Sequence, residues 1–120
     1  MEPLSFTVYG APVPKGRPRF GGGRSFTPAR TRHYELLVRA AALEALAQRT
    51  TWTRDNPAGY AVRIGVYRAA QRGDLDNFLK AATDALNGVA FDDDKRIVDI
   101  HGLMFLDRDR PRLLVEVQPL

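Results

Sequence analysis

The feature that most constrains the fold is that segments with the hydrophobic periodicity of strands alternate along the chain with segments that have the periodicity of helices. Four short runs are rich in β-forming residues and have the period of two that is typical of strands, namely Ser5–Tyr9, 59–68, 97–106 and Leu113–Val117. In the two segments between the first three runs, apolar residues recur at spacings of three and four residues, which indicates amphipathic helices. The order β-α-β-α-β-β predicts a small single-domain α/β or α+β sandwich, with helices packed on a mixed sheet.

Both predicted helices carry signals at their ends. Thr27-Pro28 is typical of an N-cap followed by proline in the first turn, and the helix is expected to reach about Arg49. Its expected buried face comprises Tyr34, Leu37, Val38, Ala41, Ala42 and Ala45. Asn87-Gly88 ends the second helix. The last two strands, joined by the turn 107–111, are expected to form an antiparallel hairpin.

Composition limits the class of protein. A chain of 120 residues, 44% of them hydrophobic, is one globular domain by length, residues 1–120. It has no cysteine, which excludes disulfides and thiolate zinc sites. No apolar run approaches the ~18 residues of a membrane helix, and the first residues do not resemble a signal peptide. We therefore expect no membrane partner and a cytoplasmic location.

Charge is distributed unevenly, although the net charge of +4 is modest. Residues 1–34 hold six basic side chains against one acidic side chain, whereas the remainder holds 12 basic and 13 acidic ones. The six are Lys15, Arg17, Arg19, Arg24, Arg30 and Arg32. They lie in or just after a loop rich in glycine and proline, residues 10–26. This cluster indicates a polyanionic partner, and the alternative is a solvated arginine-rich loop.

Acidic residues form two groups. Asp74 and Asp76 lie where the second strand gives way to the second helix, and Lys80 follows one helical turn after Asp76. The second group, Asp92-Asp93-Asp94, precedes the third strand. If that strand runs back along the helix, it brings Asp94 near Asp74.

This combination suits phosphodiester hydrolysis. Mg²⁺ is held by one or two carboxylates together with waters and substrate phosphate, and it lowers the pKa of an attacking water. Lys80 would contact the scissile phosphate or the leaving oxygen. The alternatives are structural: Asp74 caps the helix, Asp76 and Lys80 form a surface ion pair, and residues 92–94 form a solvated turn.

Other motif interpretations fail in detail. A calcium-binding EF-hand loop starting at Asp74 requires glycine and glutamate where Leu79 and Ala85 stand. Gly21-Gly22-Gly23 lacks the Lys-Ser/Thr of a P-loop and is expected to be a flexible tip. Nothing in the sequence organises Ser5 or Ser25 as a nucleophile.

Two longer patterns extend these observations. The first is Asp74-Leu-Asp76-Asn77-x-x-Lys80-Ala-x-x-Asp84-Ala-Leu86, followed by Asp93-Asp94-x-x-Ile97-Val98-Asp99. The second is Pro14-Lys15-Gly16-Arg17-Pro18-Arg19 with Thr27-Pro28. Together they cover most of the chain, and they resemble the RusA family of Holliday-junction resolvases, the first pattern being the more specific.

The resemblance implies a homodimer that binds four-way junction DNA and makes paired cuts with Mg²⁺, in DNA recombination and repair. It implies that Asp74, Asp76 and Asp94 are the catalytic, metal-binding acids, with Lys80 essential beside them and Asp93 an auxiliary metal ligand. The link between Leu86 and the acidic turn is one residue shorter than the family pattern. The assignment therefore favours Asp94 over Asp93 and leaves both open.

The basic residues then have a role in DNA binding, since phosphate contacts supply affinity with little sequence information. Phe20 and Phe26 either stack on unpaired bases or pack on their own domain. His33 is expected at the surface, and His101 near Asp99 is expected to be structural. A module that binds branched nucleic acid without cutting it, and a metal-dependent nuclease for flaps or RNA, remain alternatives.

Overall fold

The computed structural model describes residues 2–120, with Arg19 described by its backbone alone. Its elements are β1 (Leu4–Tyr9), β2 (Arg19–Gly21), β3 (Arg24–Phe26), α1 (Ala29–Ala47), β4 (Tyr60–Arg68), α2 (Leu75–Leu86), a 3₁₀ turn (Asp94–Arg96), β5 (Ile97–Leu106) and β6 (Arg112–Pro119). A mixed sheet with two helices confirms the predicted fold class. The short strands β2 and β3 are inserted into the first connection of the predicted order.

The main sheet has the strand order β1-β6-β4-β5. β6 pairs antiparallel with both β1 and β4, whereas β5 pairs parallel with β4 at the edge of the sheet. The expected hairpin between the last two strands is therefore wrong. The turn 107–111 is long enough to cross the end of β4, where the backbone N–H of Asp107 donates to the Arg68 carbonyl at 2.8 Å.

The core lies between one face of the sheet and the two helices. β4 and β6 alternate strictly, so that one side of each strand is buried: Val62, Ile64, Val66, Leu113, Val115 and Val117. Each such side chain stabilises the fold by roughly 1.5–3 kcal/mol when fully buried. α2 covers this face with Phe78, Ala82, Ala85 and Leu86.

α1 lies beside α2 and β1 and buries Tyr34, Val38 and Ala42, as predicted, but Leu37 is exposed. The helix starts at Ala29, with Pro28 in the N-cap position and no side-chain cap. The predicted Thr27 cap is therefore wrong. No helix within residues 2–120 is long and apolar enough to cross a membrane.

Part of the predicted loop 10–26 is a small β-hairpin. β2 and β3 pair antiparallel around Gly22 and Gly23, which both have positive φ angles, of 57° and 78°. A two-residue hairpin turn of type I′ needs a positive φ angle at both positions, and glycine adopts a positive φ angle without strain. The glycine run that suggested a flexible tip therefore forms a defined turn.

Candidate active site

The first acidic pair lies at the start of α2. The preceding Gly73 has a φ of 87°, and a Cβ atom there would lie 2.7 Å from the Phe78 ring. Only glycine fits this position, and it directs the chain into the helix. Asp74 occupies the N-cap position, but its side chain makes no capping hydrogen bond. The structural alternative in which its carboxylate caps the helix is therefore wrong.

Asp76 is exposed in the first turn of α2, where its Oδ1 accepts a hydrogen bond from the Asn77 backbone N–H at 3.0 Å. Asp74 is exposed as well. Both carboxylates stand at the helix N-terminus, whose positive dipole end favours negative charge. The pair is thus open to solvent and available to a cation.

Lys80 lies one turn further along α2, and its ion pair is with Asp84 rather than Asp76. Lys80 Nζ lies 3.0 Å from Asp84 Oδ1, so the alternative of an Asp76–Lys80 surface pair is wrong. The other oxygen of Asp84 lies 3.1 Å from Lys15 Nζ, and Lys15 also contacts Glu35 at 2.7 Å. This network joins α1, α2 and the start of the basic loop, and it was not predicted from the sequence.

Lys15 was expected to contact DNA, but its side chain is only 20% exposed. Burial lowers the pKa of its ammonium, but hydrogen bonds to Glu35 and Asp84 outweigh burial, so the pKa lies above its ordinary value. Its backbone N–H also donates to the Asn77 carbonyl at 2.8 Å. Lys15 therefore ties the base of the loop to the first turn of α2.

The second acidic group makes local contacts. Asp92 pairs with Arg96 at 2.6 Å, and this guanidinium holds the pKa of Asp92 below its usual range. Asp93 caps the 3₁₀ turn by accepting from the Lys95 backbone N–H at 2.9 Å, which lowers the pKa of Asp93. The solvated-turn alternative thus describes Asp92 and Asp93 well. Asp94, the favoured ligand, is half-buried in the 3₁₀ turn itself.

The two acidic groups lie at opposite ends of the sheet. β4 and β5 are parallel, with Tyr60 beside Ile97 and Arg68 beside Leu106. Asp94 therefore precedes the start of the strands and Asp74 follows their end, on the order of 30 Å away for strands of this length. The expected approach of Asp94 to Asp74 is wrong within one chain. In residues 2–120, no three His, Cys, Asp or Glu side chains come together as a metal site.

The remaining basic residues of the first third are at the surface. Arg17, Arg24, Arg30 and Arg32 are exposed, and the side chain of Arg19 lies outside the described residues. His33 is also exposed, as predicted, and His101 Nε2 lies 3.6 Å from Asp99 Oδ1 on the uncovered face of the sheet.

Two further arginines near the acidic pair were missed. Arg68 ends β4, and Arg72 lies in the connection from β4 to Asp74. Both line a cleft together with Arg30. In sequence they look like scattered surface charges, and only their strand-end position next to Asp74 could have identified them.

Comparison with known proteins gives two matches. Residues 9–118 match the family described as Endodeoxyribonuclease RusA. The chain is also 28% identical over 142 aligned residues to the protein named "Uncharacterized protein YqaN" of Bacillus subtilis (strain 168), with 98% of this chain and 97% of that protein covered. Because the family match spans nearly the whole chain, this protein belongs to the RusA family of endodeoxyribonucleases.

Proposed function

We propose that the protein is a magnesium-dependent endonuclease that resolves Holliday junctions by paired phosphodiester cleavage in DNA recombination and repair. Family membership supports nuclease activity on DNA. The observation that carries the mechanism is the exposed pair Asp74 and Asp76 at the start of α2, with Lys80 one turn away. Residues 1–120 would act as one nuclease domain.

The acidic pair fits the ligand preference of Mg²⁺. This cation commonly takes one or two carboxylates and completes its shell with waters and substrate phosphate. When bound, it would polarise the scissile phosphate and acidify a water molecule. Asp74 and Asp76 would hold it, and the Lys80 ammonium would neutralise charge that develops on the phosphate or leaving oxygen.

A homodimer would supply the third carboxylate. β5 is an edge strand of ten residues, with Val98, Leu103 and Phe105 exposed. Long apolar edges attract another strand. If two β5 strands pair antiparallel across a two-fold axis, each begins beside the end of the other. Asp94 of one subunit, with Asp93 as auxiliary, would then approach Asp74 and Asp76 of its partner.

Paired cutting fits the same assembly, since a two-fold dimer offers one site to each of two symmetric strands of a junction. The exposed arginines of the first third would contact the phosphates, namely Arg17, Arg24, Arg30 and Arg32, with Arg19 expected to join them. A module that only binds DNA gains nothing from two exposed aspartates near the phosphates, because they would weaken binding.

Asp76→Asn tests the catalytic assignment. The substitution keeps the side-chain shape but removes the charge that would hold Mg²⁺. Cleavage of a synthetic four-way junction should fall at least 1,000-fold, while junction binding in chelator is retained. Lys80→Ala should also stop cleavage, and additional Mg²⁺ should not rescue it.

The matched control is Asp109→Asn, which neutralises an exposed aspartate in the turn 107–111 and should cut normally. Linear duplex, flap and RNA substrates run beside the junction distinguish the alternative nucleases. Failure of the parent protein to cut any of them with Mg²⁺ or Mn²⁺ would favour the binding module. Cleavage by folded Asp76→Asn within tenfold of the parent would remove Asp76 from the metal site.

A further inference from the structure

We propose that Arg30, Arg68 and Arg72 form a phosphate-binding cleft beside the acidic pair, in which a phosphate of the DNA backbone binds. The cleft has a volume of about 280 Å³. The three arginines come from three different parts of the fold, the first turn of α1, the end of β4 and the connection to α2. The proposal rests on the proposed nuclease function and extends its DNA contacts beyond the basic loop.

The lining of the cleft selects for an anion. Apart from the arginines, the described residues that line it are small or apolar: Ala11, Pro12, Pro14, Ala69, Ala70 and Phe78. None of the nine lining residues is acidic. Three arginines thus line one cleft without an acidic residue among its lining, and this excess of positive charge favours an anion. Guanidinium groups bind phosphate through paired N–H donors.

Arg68 supplies an independent observation. Its Nη1 donates to the carbonyls of Arg72 and Gly73 at 3.4 and 3.3 Å, which are long hydrogen bonds. Its Nε is buried and has no hydrogen-bond partner among the described residues. A buried cationic donor without a partner is unfavourable, and the Arg68 guanidinium would have to turn toward the cleft for a phosphate oxygen to satisfy it.

The position of the cleft gives the phosphate a role. Arg68 holds the two carbonyls that directly precede Asp74, and Phe78 of the cleft wall belongs to the same turn of α2 as Asp76. DNA brought to the acidic pair would otherwise face two carboxylates. A backbone phosphate bound by the arginines would offset this repulsion and set the register of the strand that is cut.

The first test is the salt dependence of junction binding in chelator. The double variant Arg30→Ala/Arg72→Ala should reduce the slope of log affinity against log salt by about one, since roughly 0.9 counterions are released for the one phosphate that the cleft neutralises. Arg110→Ala, which removes an exposed arginine from the turn 107–111, should leave the slope unchanged. Arg68→Lys keeps the charge but removes Nε, and should weaken junction binding about tenfold with an unchanged melting temperature.

The second test follows the NMR signal of the Arg68 Nε–H group during titration with uncleaved junction DNA, and separately with inorganic phosphate. A shift with DNA alone identifies a phosphodiester, and a shift with both identifies a general phosphate site. No shift with either, together with unchanged salt slopes, overturns the cleft. Because binding is measured without metal, the cleft and the nuclease can fail separately. If the arginine variants flatten the salt slope but the parent never cuts DNA, the cleft is retained and the nuclease is rejected. If the parent cuts normally but the arginine variants leave the salt slope unchanged, the nuclease is retained and the cleft is rejected.

Discussion

The Asp84 carboxylate lies between two ammonium groups from distant parts of the chain. Its side chain is 18% exposed and contacts Lys15 on one oxygen and Lys80 on the other, whereas Lys80 is 56% exposed. The Asp84–Lys15 contact is thus shielded from water, and the Lys80 ammonium remains accessible. This geometry suits Asp84 for positioning Lys80, with Lys15 holding Asp84 in place.

Asp84→Asn should separate positioning from stability. Without the charge, Lys80 loses its ion-pair partner and its ammonium is no longer held in one position, so the single-turnover cleavage rate should fall roughly 10- to 100-fold, since small misplacements of catalytic groups have effects of this size. Junction affinity in chelator should stay within about twofold. Cleavage rate, affinity and melting temperature are measured on the same preparations.

Glu35→Gln is the matched control for Asp84→Asn. It removes the other carboxylate partner of Lys15 but leaves the contact between Lys80 and Asp84 intact. We expect a lower melting temperature with normal cleavage by the folded protein. If both variants lose cleavage only in proportion to unfolding, Asp84 has a structural role alone.

Sequence predicts a role for the acidic residues because the chemistry proposed for them depends on local spacing. Asp74 and Asp76 lie two apart at a strand-to-helix junction, and this arrangement is visible without a fold. The partner of Lys80 was missed, because Asp76 and Asp84 are both one helical turn from Lys80 and only packing around Lys15 favours Asp84. The convergence of Arg30 and Arg68 likewise depends on tertiary structure.

At the scale of elements, the hairpin β2–β3 gives its two aromatic residues different environments. Phe20 pairs with Ser25 in register, so these side chains share one face, while Gly21, Arg24 and Phe26 share the other. The Phe26 ring lies beside Gly21, where a Cβ atom would approach it to 3.3 Å. Phe20 is 82% exposed. Of the two, Phe20 is therefore the better candidate for stacking on an unpaired base.

Phe20→Leu tests this assignment, because leucine keeps an apolar side chain but cannot stack as a flat ring. Junction affinity should fall about tenfold, the lower part of the range for loss of one stacked base. A fluorescent base analogue at the junction centre should report the loss of stacking. Phe26→Leu serves as the comparison and should have little effect. Equal effects of the two substitutions would indicate that the hairpin contributes through its shape alone.

The elements themselves were easier to predict than their neighbours. The bounds of β5 agree with the predicted run 97–106, because its periodicity is local. Its pairing is not local: the helical connection α2 makes β5 parallel to β4 and leaves β6 to insert between β1 and β4. The same crossover separates Asp94 from Asp74, so the error in pairing and the error in the site have one cause.

At the scale of the whole molecule, two apolar surfaces could bind a second copy. One is the outer side of α1, where Leu36 and Leu43 are exposed one above the other. The other is the edge strand β5 with the adjoining open face of the sheet, where Tyr67 stacks on Phe105 at 5.0 Å. Antiparallel pairing of β5 would also bring Asp94 to the partner's acidic pair, and we therefore propose it as the interface.

Light scattering of the parent should give a mass of about twice 13.4 kDa at micromolar concentration. A heterodimer of one Asp76→Asn chain and one Asp94→Asn chain then tests whether each active site is shared between the two subunits. If each site combines Asp76 of one subunit with Asp94 of the other, both substitutions fall in one site and the second site is intact. Purified through two different tags, this heterodimer should nick one strand of a junction at about half the parental rate, although each homodimer is inactive.

The control heterodimer combines Asp74→Asn with Asp76→Asn. These residues lie on the same side of the shared site, so each site keeps one damaged ligand and nicking should stay absent. A monomer that makes coordinated cuts would remove the need for a second copy. If the Asp76→Asn and Asp94→Asn heterodimer fails to nick, the two substitutions do not complement each other across the interface, and Asp94 does not join Asp76 of the partner subunit in one site. The exposed α1 surface would then be the better candidate for the interface, because an interface there does not require Asp94 to approach the partner's acidic pair.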